Sequence, residues 1–517
     1  MKGFDYKYQV LIVISLGTFM VVLDTTIVNI ALPKITAVFS ATTDQSEIVL
    51  TGYLLALATI MPATSFLSQR FGMKACYIGT LIGFTVGSAL CGVATSLGML
   101  SVARIIQGFG GGLIQPLGLA SVFAVTPPNE RGKMVGFYSL SLMVAPVLGP
   151  TLGGYLVEFV NWRWVFFVNV PPGIAAIALA MILLRETPTR KGVPFDYVGF
   201  LLAAACSSAA LMAATDAPKA DYAGWSDPWV VTLLAISAVT LPLFIWWELR
   251  TSNPLLDVRL FKIRGFSIAT VVVMIVTAAL YGGLFLLPVF LESPTLRGLG
   301  AWEAGLLLFP QALGMMPTTI IAGRLYDKVG PRPLMVVGLV ILGAASWKMM
   351  QLDVTTSDWT IRWLLIVRGV GIGLAMIPGM TAWLAAAPQA QTQAASTFSN
   401  VLRNLFGAFA TAIFQTILTS RLKFHYAELA MFTRWDSLGV SQMLTQAQAS
   451  ALAHGGSLGA AKAGVVLQLY SQIQKAAAVQ GFDDCFFVAA MACFFAILPT
   501  LLIKKAAASE HGEPVEV

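Results

Sequence analysis

The chain has 517 residues, 57% of them hydrophobic and only 11% charged, with a formal net charge of +7 and a mean hydropathy of +0.78. Soluble domains carry about 25% charged residues, so this composition leaves too few polar side chains to cover a water-soluble surface. The basic excess does not mark a nucleic-acid partner, because the 32 Lys and Arg fall mostly in short segments between apolar blocks and form no continuous stripe.

Blocks of about 20 apolar residues, the length needed to cross a bilayer, place spans near 10–32, 48–67, 75–94, 99–124, 134–157, 164–184, 198–214, 228–247, 266–290, 305–323, 334–350, 363–386, 394–418 and 485–503. Backbone polar groups must be satisfied within lipid, and the blocks lack the ten-residue alternation of a membrane barrel, so the spans are expected to be helices. The chain therefore reads as an all-α polytopic membrane protein with 14 transmembrane helices. No small-residue cleavage site follows the first span, which is expected to remain in the mature chain. With the amino terminus inside, the cytoplasmic segments would hold 18 of the 32 Lys and Arg against six in the short outer loops. The positive-inside rule then predicts a multi-pass protein of the cell inner (plasma) membrane with both termini cytoplasmic.

Span 1 contains VVLDTTIVNIALP, residues 21–33, with Asp24 inside the apolar run. Intramembrane carboxylates are costly, rare and usually functional, and burial raises a carboxyl pKa toward the range a proton carrier needs. The alternative is a structural Asp bonded to Thr25, Thr26 or the backbone. Span 4 carries Arg104 five residues in, followed three positions later by Gln107; the guanidinium either finds a buried partner or snorkels to the outer interface. In span 5, Gly149-Pro150 and Gly153-Gly154 predict a kink and a smooth surface against a neighbouring helix, or ordinary packing. Asn29, Gln115, Gln311, Asn400, Arg403 and Asn404 place polar groups on spans that would face a central cavity, where they could bind substrate or bond helix to helix. Phe309, Met315, Met316, Met376 and Trp383 add adaptable apolar surface, although a lipid-facing or core role suits any one of them. Glu158, Glu292 and Glu303 read as solvated interfacial charges. The segment 421–484 is too long for an ordinary hairpin and contains two helix-compatible stretches, MLTQAQASALAH and AGVVLQLYSQIQKAAAVQ.

Two pairs of stretches echo each other. SFLSQRFGMK (65–74) matches GRLYDKVGPR (323–332), and QGFGGGL (107–113) matches RGVGIGL (368–374), at offsets of 258 and 261 residues. One duplicated plan in the same orientation follows, with two six-helix halves and an inserted pair of spans. The expected division is 1–190 for the N-terminal half, 191–252 for the inserted pair, 253–508 for the C-terminal half including an extracytoplasmic loop at 421–484, and 509–517 for a tail.

These stretches resemble the major facilitator superfamily, and within it the fourteen-span drug:proton antiporters of the QacA/EmrB type. LDTTIVNIALP is similar to that group's first-span signature, RIIQGFGGG to its fourth-span motif, APVLGPTLGGYL to the fifth-span antiporter motif, and NWRWVFFVNVPPG to the approach to span 6. The resemblance implies a major facilitator fold and a proton-driven exporter of lipophilic compounds, cationic or neutral, working by alternating access. It further implies proton coupling through Asp24 and Arg104, and a substrate cavity at Asn29, Gln107, Gln115, Gln311, Asn400, Arg403 and Asn404. Gly149, Pro150, Gly153 and Gly154 would form the antiporter motif at a rocking interface between halves. A cytoplasmic latch is implied at Arg70, Gly72, Lys74, Gly323, Asp327, Gly330 and Arg332. The first copy of the latch carries Gln69 and Ser65 where the family has Asp and Gly, so the C-terminal copy is expected to carry more of it. The outer segment resembles the hairpin of EmrB-like members, which would cap the pore or dock a periplasmic adaptor protein.

No G-x-x-x-x-G-K-[ST] loop is present, so ATP hydrolysis within this chain is not expected. His425, His454 and His511 are far apart and outside the spans, and five Cys form no C-x-x-C pair, so no cofactor, metal site, disulfide framework or catalytic triad is expected. Two other readings stay open: a specific exporter of one metabolite, such as a siderophore, fatty acid or self-made antibiotic, and a membrane receptor or enzyme that no longer transports.

Overall fold

The computed structural model describes residues 5–189, 194–218, 224–252, 254–388, 391–432, 442, 444–449 and 458–503. Among them, 14 helices are long and apolar enough to cross a membrane: α1 (Tyr6–Val38), α2 (Gln45–Phe71), α3 (Met73–Gly92), α4 (Leu97–Val125), α5 (Pro128–Val160), α6 (Trp164–Leu183), α7 (Tyr197–Asp216), α8 (Pro228–Arg250), α9 (Arg264–Glu292), α10 (Trp302–Val329), α11 (Pro331–Met349), α12 (Asp358–Ala385), α13 (Thr392–Met431) and α14 (Lys462–Thr500). Each overlaps one apolar block of the sequence. Local signals set several ends: Thr42 and Gln45 form a capping box before α2, Ser96 caps α4, and Asp227 with Pro228 starts α8.

The largest departure lies in α13 and α14, of 40 and 39 residues. At 1.5 Å per residue each is about 60 Å long, twice the hydrocarbon core of a bilayer. Residues beyond 418 continue α13, and the AGVVLQLYSQIQKAAAVQ stretch is the first part of α14 rather than a separate helix. Of the MLTQAQASALAH stretch, residues 444–449 are helical and the other half falls outside the described residues. His425 Nε2 meets Asp484 Oδ2 at 2.9 Å, tying the two extensions together.

Helices α1–α6 pack as one group and α9–α14 as another, with α1 against α5, α3 against α4, α10 and α11 against α12, and α9 against α13. The echoed motifs explain part of this likeness. Gly110 lies against the backbone of Phe84 on α3, and its counterpart Gly371 lies against the backbone of Leu342 on α11, so α4 and α12 cross their neighbours at the same close distance. Likewise Gly72 and Gly330, the matched loop glycines, have φ of +84° and +82°, a conformation other residues adopt only with strain.

The groups meet along α5 and α10, and α4 also packs on α13. On the face where α1 begins and α14 ends, called here the terminal face, Asp327 accepts from the backbone N–H of Gly132 (3.1 Å) and Lys133 (3.3 Å) at the start of α5. A Cβ on Gly132 would lie 2.5 Å from the Gly323 carbonyl oxygen, so backbone meets backbone here.

Helices α7 and α8 are not equivalent. α7 is wedged between α2 and α13, with Thr59 Oγ1 and Ser208 Oγ 3.1 Å apart on one side, and Trp225, just beyond its end, donating to Thr416 Oγ1 (2.9 Å) on the other. α8 lies outside α7 and exposes Trp229, Val239, Leu243 and Trp246, the composition of a lipid-facing surface.

Candidate functional site

Asp24 sits in the interior of α1 and is fully buried. Its neighbours Thr25 and Thr26 donate to the carbonyls of Val22 and Leu23 on their own helix, so they do not compensate the carboxylate. Two other helices do. Arg104 Nη1 of α4 donates to Oδ2 at 2.6 Å, while Gln107 Nε2 of α4 and Asn169 Nδ2 of α6 both donate to Oδ1 at 2.9 Å. Ser88 Oγ of α3 accepts from Gln107 (2.6 Å) and, more weakly, from Asn169 (3.4 Å).

The guanidinium is held as firmly as the carboxylate. Arg104 is 1% exposed, donates through Nε to the Val49 carbonyl (3.0 Å) and through Nη1 to Gln107 Oε1 (2.7 Å), and lies 4.0 Å from the ring centroid of Tyr53. It does not snorkel. A buried ion pair of this kind survives only when the remaining hydrogen-bonding capacity is filled, and the amides of Gln107 and Asn169 fill it. Charge-assisted bonds at these distances make the cluster one unit: protonating Asp24 would remove the acceptor charge from three donors at once.

A cavity of about 640 Å³ lies beside this cluster. Its lining includes Arg104, Tyr53, Asn29, Gln115, Gln311 and Asn404, with Glu47 and Glu292 at its end opposite the terminal face. The rest is largely apolar, including Leu54, Leu57, Met61, Phe285 and Leu287, and α7 contributes Ser207, Leu211 and Thr215. Behind the lining, Arg403 Nη2 donates to Gln115 Oε1 (3.0 Å) and Asn400 Oδ1 (2.7 Å), a bond across the two helix groups. Asn404 Nδ2 contacts Met61 Sδ at 3.6 Å.

The residues singled out in the sequence therefore separate into several places. Asp24 and Arg104 meet. Gln107, expected at the cavity, belongs to the Asp24 cluster. Asn29, Gln115, Gln311 and Asn404 line the cavity, and Asn400 and Arg403 stand behind it. Gly149 and Gly153 press on Thr26 and Ile27 of α1, within the first helix group, and Gly154 is buried; the contact with the other group is made by Thr151 against Gly305. Helical structure continues through Pro150, whose side chain is outside those described, and a π-helical turn follows at Leu156–Val160. Of the loop residues, Asp327, Gly323 and Gly132 join the groups, whereas Lys74 Nζ donates to the Met181 carbonyl (2.7 Å) and Arg332 Nε to the Ile503 carbonyl (3.1 Å), each within its own group. Arg70 is exposed. Sequence reasoning missed Asn169, Ser88 and Tyr53. Asn169 had a signal, an amide alone in the apolar run VFFVNVPP; a Ser and a Tyr inside spans carry none.

Comparison with known proteins now bears on this arrangement. The model of the Major Facilitator Superfamily matches residues 14–411. The chain belongs to that superfamily. Among curated proteins it is similar to the uncharacterized MFS-type transporter YhcA of Bacillus subtilis, 32% identical over 97% of this chain and 94% of that one. It also resembles the multidrug export protein EmrB of Escherichia coli K12, 31% identical over 83% and 86%, and the fatty acid resistance protein FarB of Neisseria gonorrhoeae, 32% identical over 81% and 82%. Among solved structures, the proton:xylose symporter XylE matches with a TM-score of 0.59 over 97% of this chain and 96% of its own, and the human organic anion transporter MFSD10 with 0.58 over 96% and 100%. At 14% identity these two establish the shared fold alone. As a superfamily member with 14 spanning helices, the chain is a multi-pass membrane transporter.

Proposed function

We propose that this transporter is a proton-coupled exporter of lipophilic compounds, driven by proton entry through Asp24 and working by alternating access. The observation that carries the proposal is the fully buried Asp24–Arg104 pair beside a largely apolar cavity. An ionised carboxylate and a guanidinium stabilise each other there, and a proton delivered to Asp24 releases Arg104 from its counter-charge. Each protonation state therefore favours a different packing of α1 and α4, and a difference in affinity between two conformations is what converts a gradient into movement. The multidrug name of the relative EmrB supports lipophilic substrates of neutral or cationic character, as do Glu47 and Glu292 at the mouth.

The topology follows the same reading. The terminal face is cytoplasmic in an inner membrane, the Asp327–α5 contact is the latch that closes it, and the cavity opens outward. The two helix groups are the moving halves, 1–190 and 253–508, with 191–252 inserted. The extensions of α13 and α14 then project outside, where a periplasmic adaptor protein could dock. A second reading, a dedicated exporter of a single metabolite, is favoured by one feature: the positive groups behind the inner wall of the cavity, Arg368 and Arg403, have no carboxylate partner among the described residues. The name of FarB is consistent with it.

The test uses purified protein in proteoliposomes under an imposed pH gradient, with ethidium as substrate. Wild type should exchange protons for ethidium, and Asp24→Asn should lose at least about 100-fold of that exchange, as removal of a coupling group demands. Equal exchange by both proteins would make Asp24 structural.

A further inference from the structure

Of the three donors around Asp24, the one from α6 differs from the two from α4. Arg104 has no acceptor atom and can only donate. Gln107 has both ends engaged: Nε2 donates to Asp24 Oδ1 and Ser88 Oγ, while Oε1 accepts from Arg104 Nη1 at 2.7 Å and faces Cys91 Sγ at 3.6 Å. Asn169 is fully buried and donates to Asp24 through Nδ2, yet its Oδ1 has no hydrogen-bond partner among the described residues. Nearly all buried polar atoms are paired, so an acceptor left free beside this carboxylate is a departure with a cause.

The local sequence supplies the cause. α6 is helical over Trp164–Phe167 and again over Val170–Leu183, and Asn169 holds the N-cap position of the second stretch. An N-cap side-chain oxygen ordinarily accepts from the backbone N–H of the second or third helical residue. Here those residues are Pro171 and Pro172, which have no N–H, and no side-chain cap bond forms. The Asn169 backbone is still fixed, its carbonyl accepting from Gly173 at 2.9 Å, so NVPP anchors the main chain while leaving the amide unclaimed. A half-turn of that amide exchanges Nδ2 and Oδ1 with little change of shape, and this torsion is soft and two-fold. Ser88 Oγ, 3.4 Å from Nδ2, suits either end, because a hydroxyl both donates and accepts. One end stays unmatched in each orientation, and the charge on Asp24 decides between them.

We infer that Asn169 is a positioning residue that reads the proton on Asp24: Nδ2 donates to the ionised carboxylate, and when Oδ1 of Asp24 is protonated the amide reverses so that Asn169 Oδ1 accepts from the new O–H. This rests on the proton-coupled reading of Asp24. The proton is carried on Oδ1 because Oδ2 faces Arg104, which has nothing to accept with. One O–H bond forms at Asp24, and the amide keeps all its own protons. The reversed amide satisfies the neutral acid, so Arg104 can part from Asp24 without stranding a buried O–H. Gln107 cannot do this, since turning it would break its bond to Arg104. The other titratable groups facing Asp24 are Tyr53 of α2 and Cys91 of α3, and among the described residues only Arg104 lies within ion-pair distance.

The experiment records infrared difference spectra between alkaline and acid pH for the full chain in phosphatidylcholine vesicles, the Asp24 carboxyl band being identified by its absence in Asp24→Asn. In wild type this band should lie at the lower frequency of a carboxyl group that donates a hydrogen bond. Asn169→Val should raise it to the frequency of one that does not, and Asn169→Thr, of the same shape but with a hydroxyl that works in both senses, should bring it part of the way back. In the same vesicles Asn169→Val should lower the ratio of proton-driven ethidium exchange to ethidium counterflow about tenfold, the loss expected for one hydrogen bond of roughly 1.4 kcal/mol. A wild-type band already at the non-donating frequency overturns the inference without any variant. So does a band that Asn169→Val leaves in place, since Asn169 would then be a fixed donor or a structural residue. Absence of any Asp24-dependent band overturns the inference and the proton-coupled reading together. A band that moves with Asn169 while protons and ethidium are not exchanged sustains the inference and overturns the exporter reading instead.

Discussion

Arg104 and Arg368 make an instructive pair. Both are buried to 1% exposure, Arg368 at the start of the echoed motif of α12 and Arg104 one turn before its counterpart in α4, and both reach toward the same cavity from opposite halves. Each has one side-chain amide and one backbone carbonyl, but the first also has a carboxylate at 2.6 Å and an aromatic face, which the second lacks among the described residues. One duplicated frame has therefore been given two electrostatic characters. In the first half the charges cancel internally. In the second the positive charge is left standing.

The strongest test of this contrast is stability. Arg104→Gln strands a buried carboxylate and should cost about 3–5 kcal/mol, whereas Arg368→Gln removes a buried charge that has no counter-charge and should cost less than about 1 kcal/mol or stabilise. Thermal unfolding in detergent reads both, and equal losses would erase the distinction. Adding Asp24→Asn to Arg104→Gln should recover part of the loss, because the orphaned charge is gone. A smaller effect is expected at the junction of the halves. Asp327 caps the start of α5 across the interface, and Asp327→Asn should weaken the closed terminal face by about 1 kcal/mol, roughly a fivefold shift in population. Spin labels replacing the exposed Arg70 and Arg324 would report it as added longer distances. Least of all, Arg70→Ala should change thermal stability by less than about 0.5 kcal/mol, since Arg70 is exposed and the loop's hydrogen bonds from Met73 and Lys74 stay within its own half. A loss comparable with that of Asp327→Asn would show that both loops close the face.

Much of this was legible in the sequence, and for physical reasons. Fourteen spans declare themselves because lipid demands long apolar blocks. Asp24 and Arg104 declare themselves because charge inside such a block requires a reason. Gln107 was legible as buried polarity but not as a neighbour of Asp24, since sequence spacing fixes which face of α4 it occupies and not which helix that face meets. Asn169 is in α6, 145 residues from Asp24, and only the packing of α6 on α1 and α3 brings it there. The extensions of α13 and α14 fall in the segment expected to carry separate outer helices, because hydropathy marks the end of a span while helical hydrogen bonding continues past it. The unequal fates of α7 and α8 were invisible for the same reason: both are apolar, and hydropathy does not distinguish lipid from a neighbouring helix.

The wedged position of α7 bears on what the cavity holds when nothing is being carried. A transporter of two rocking halves has a seam on each flank, and an apolar chamber behind an open seam is a place where acyl tails would settle. On one flank α5 and α10 close that seam directly. On the other, α2 and α13 are kept apart by α7, tied by a hydroxyl to one half and by an indole beyond its end to the other. Placed so, α7 would work as caulking: it would keep acyl tails out of the chamber and, by spanning the seam, would have to slide against one half whenever the chamber changed sides.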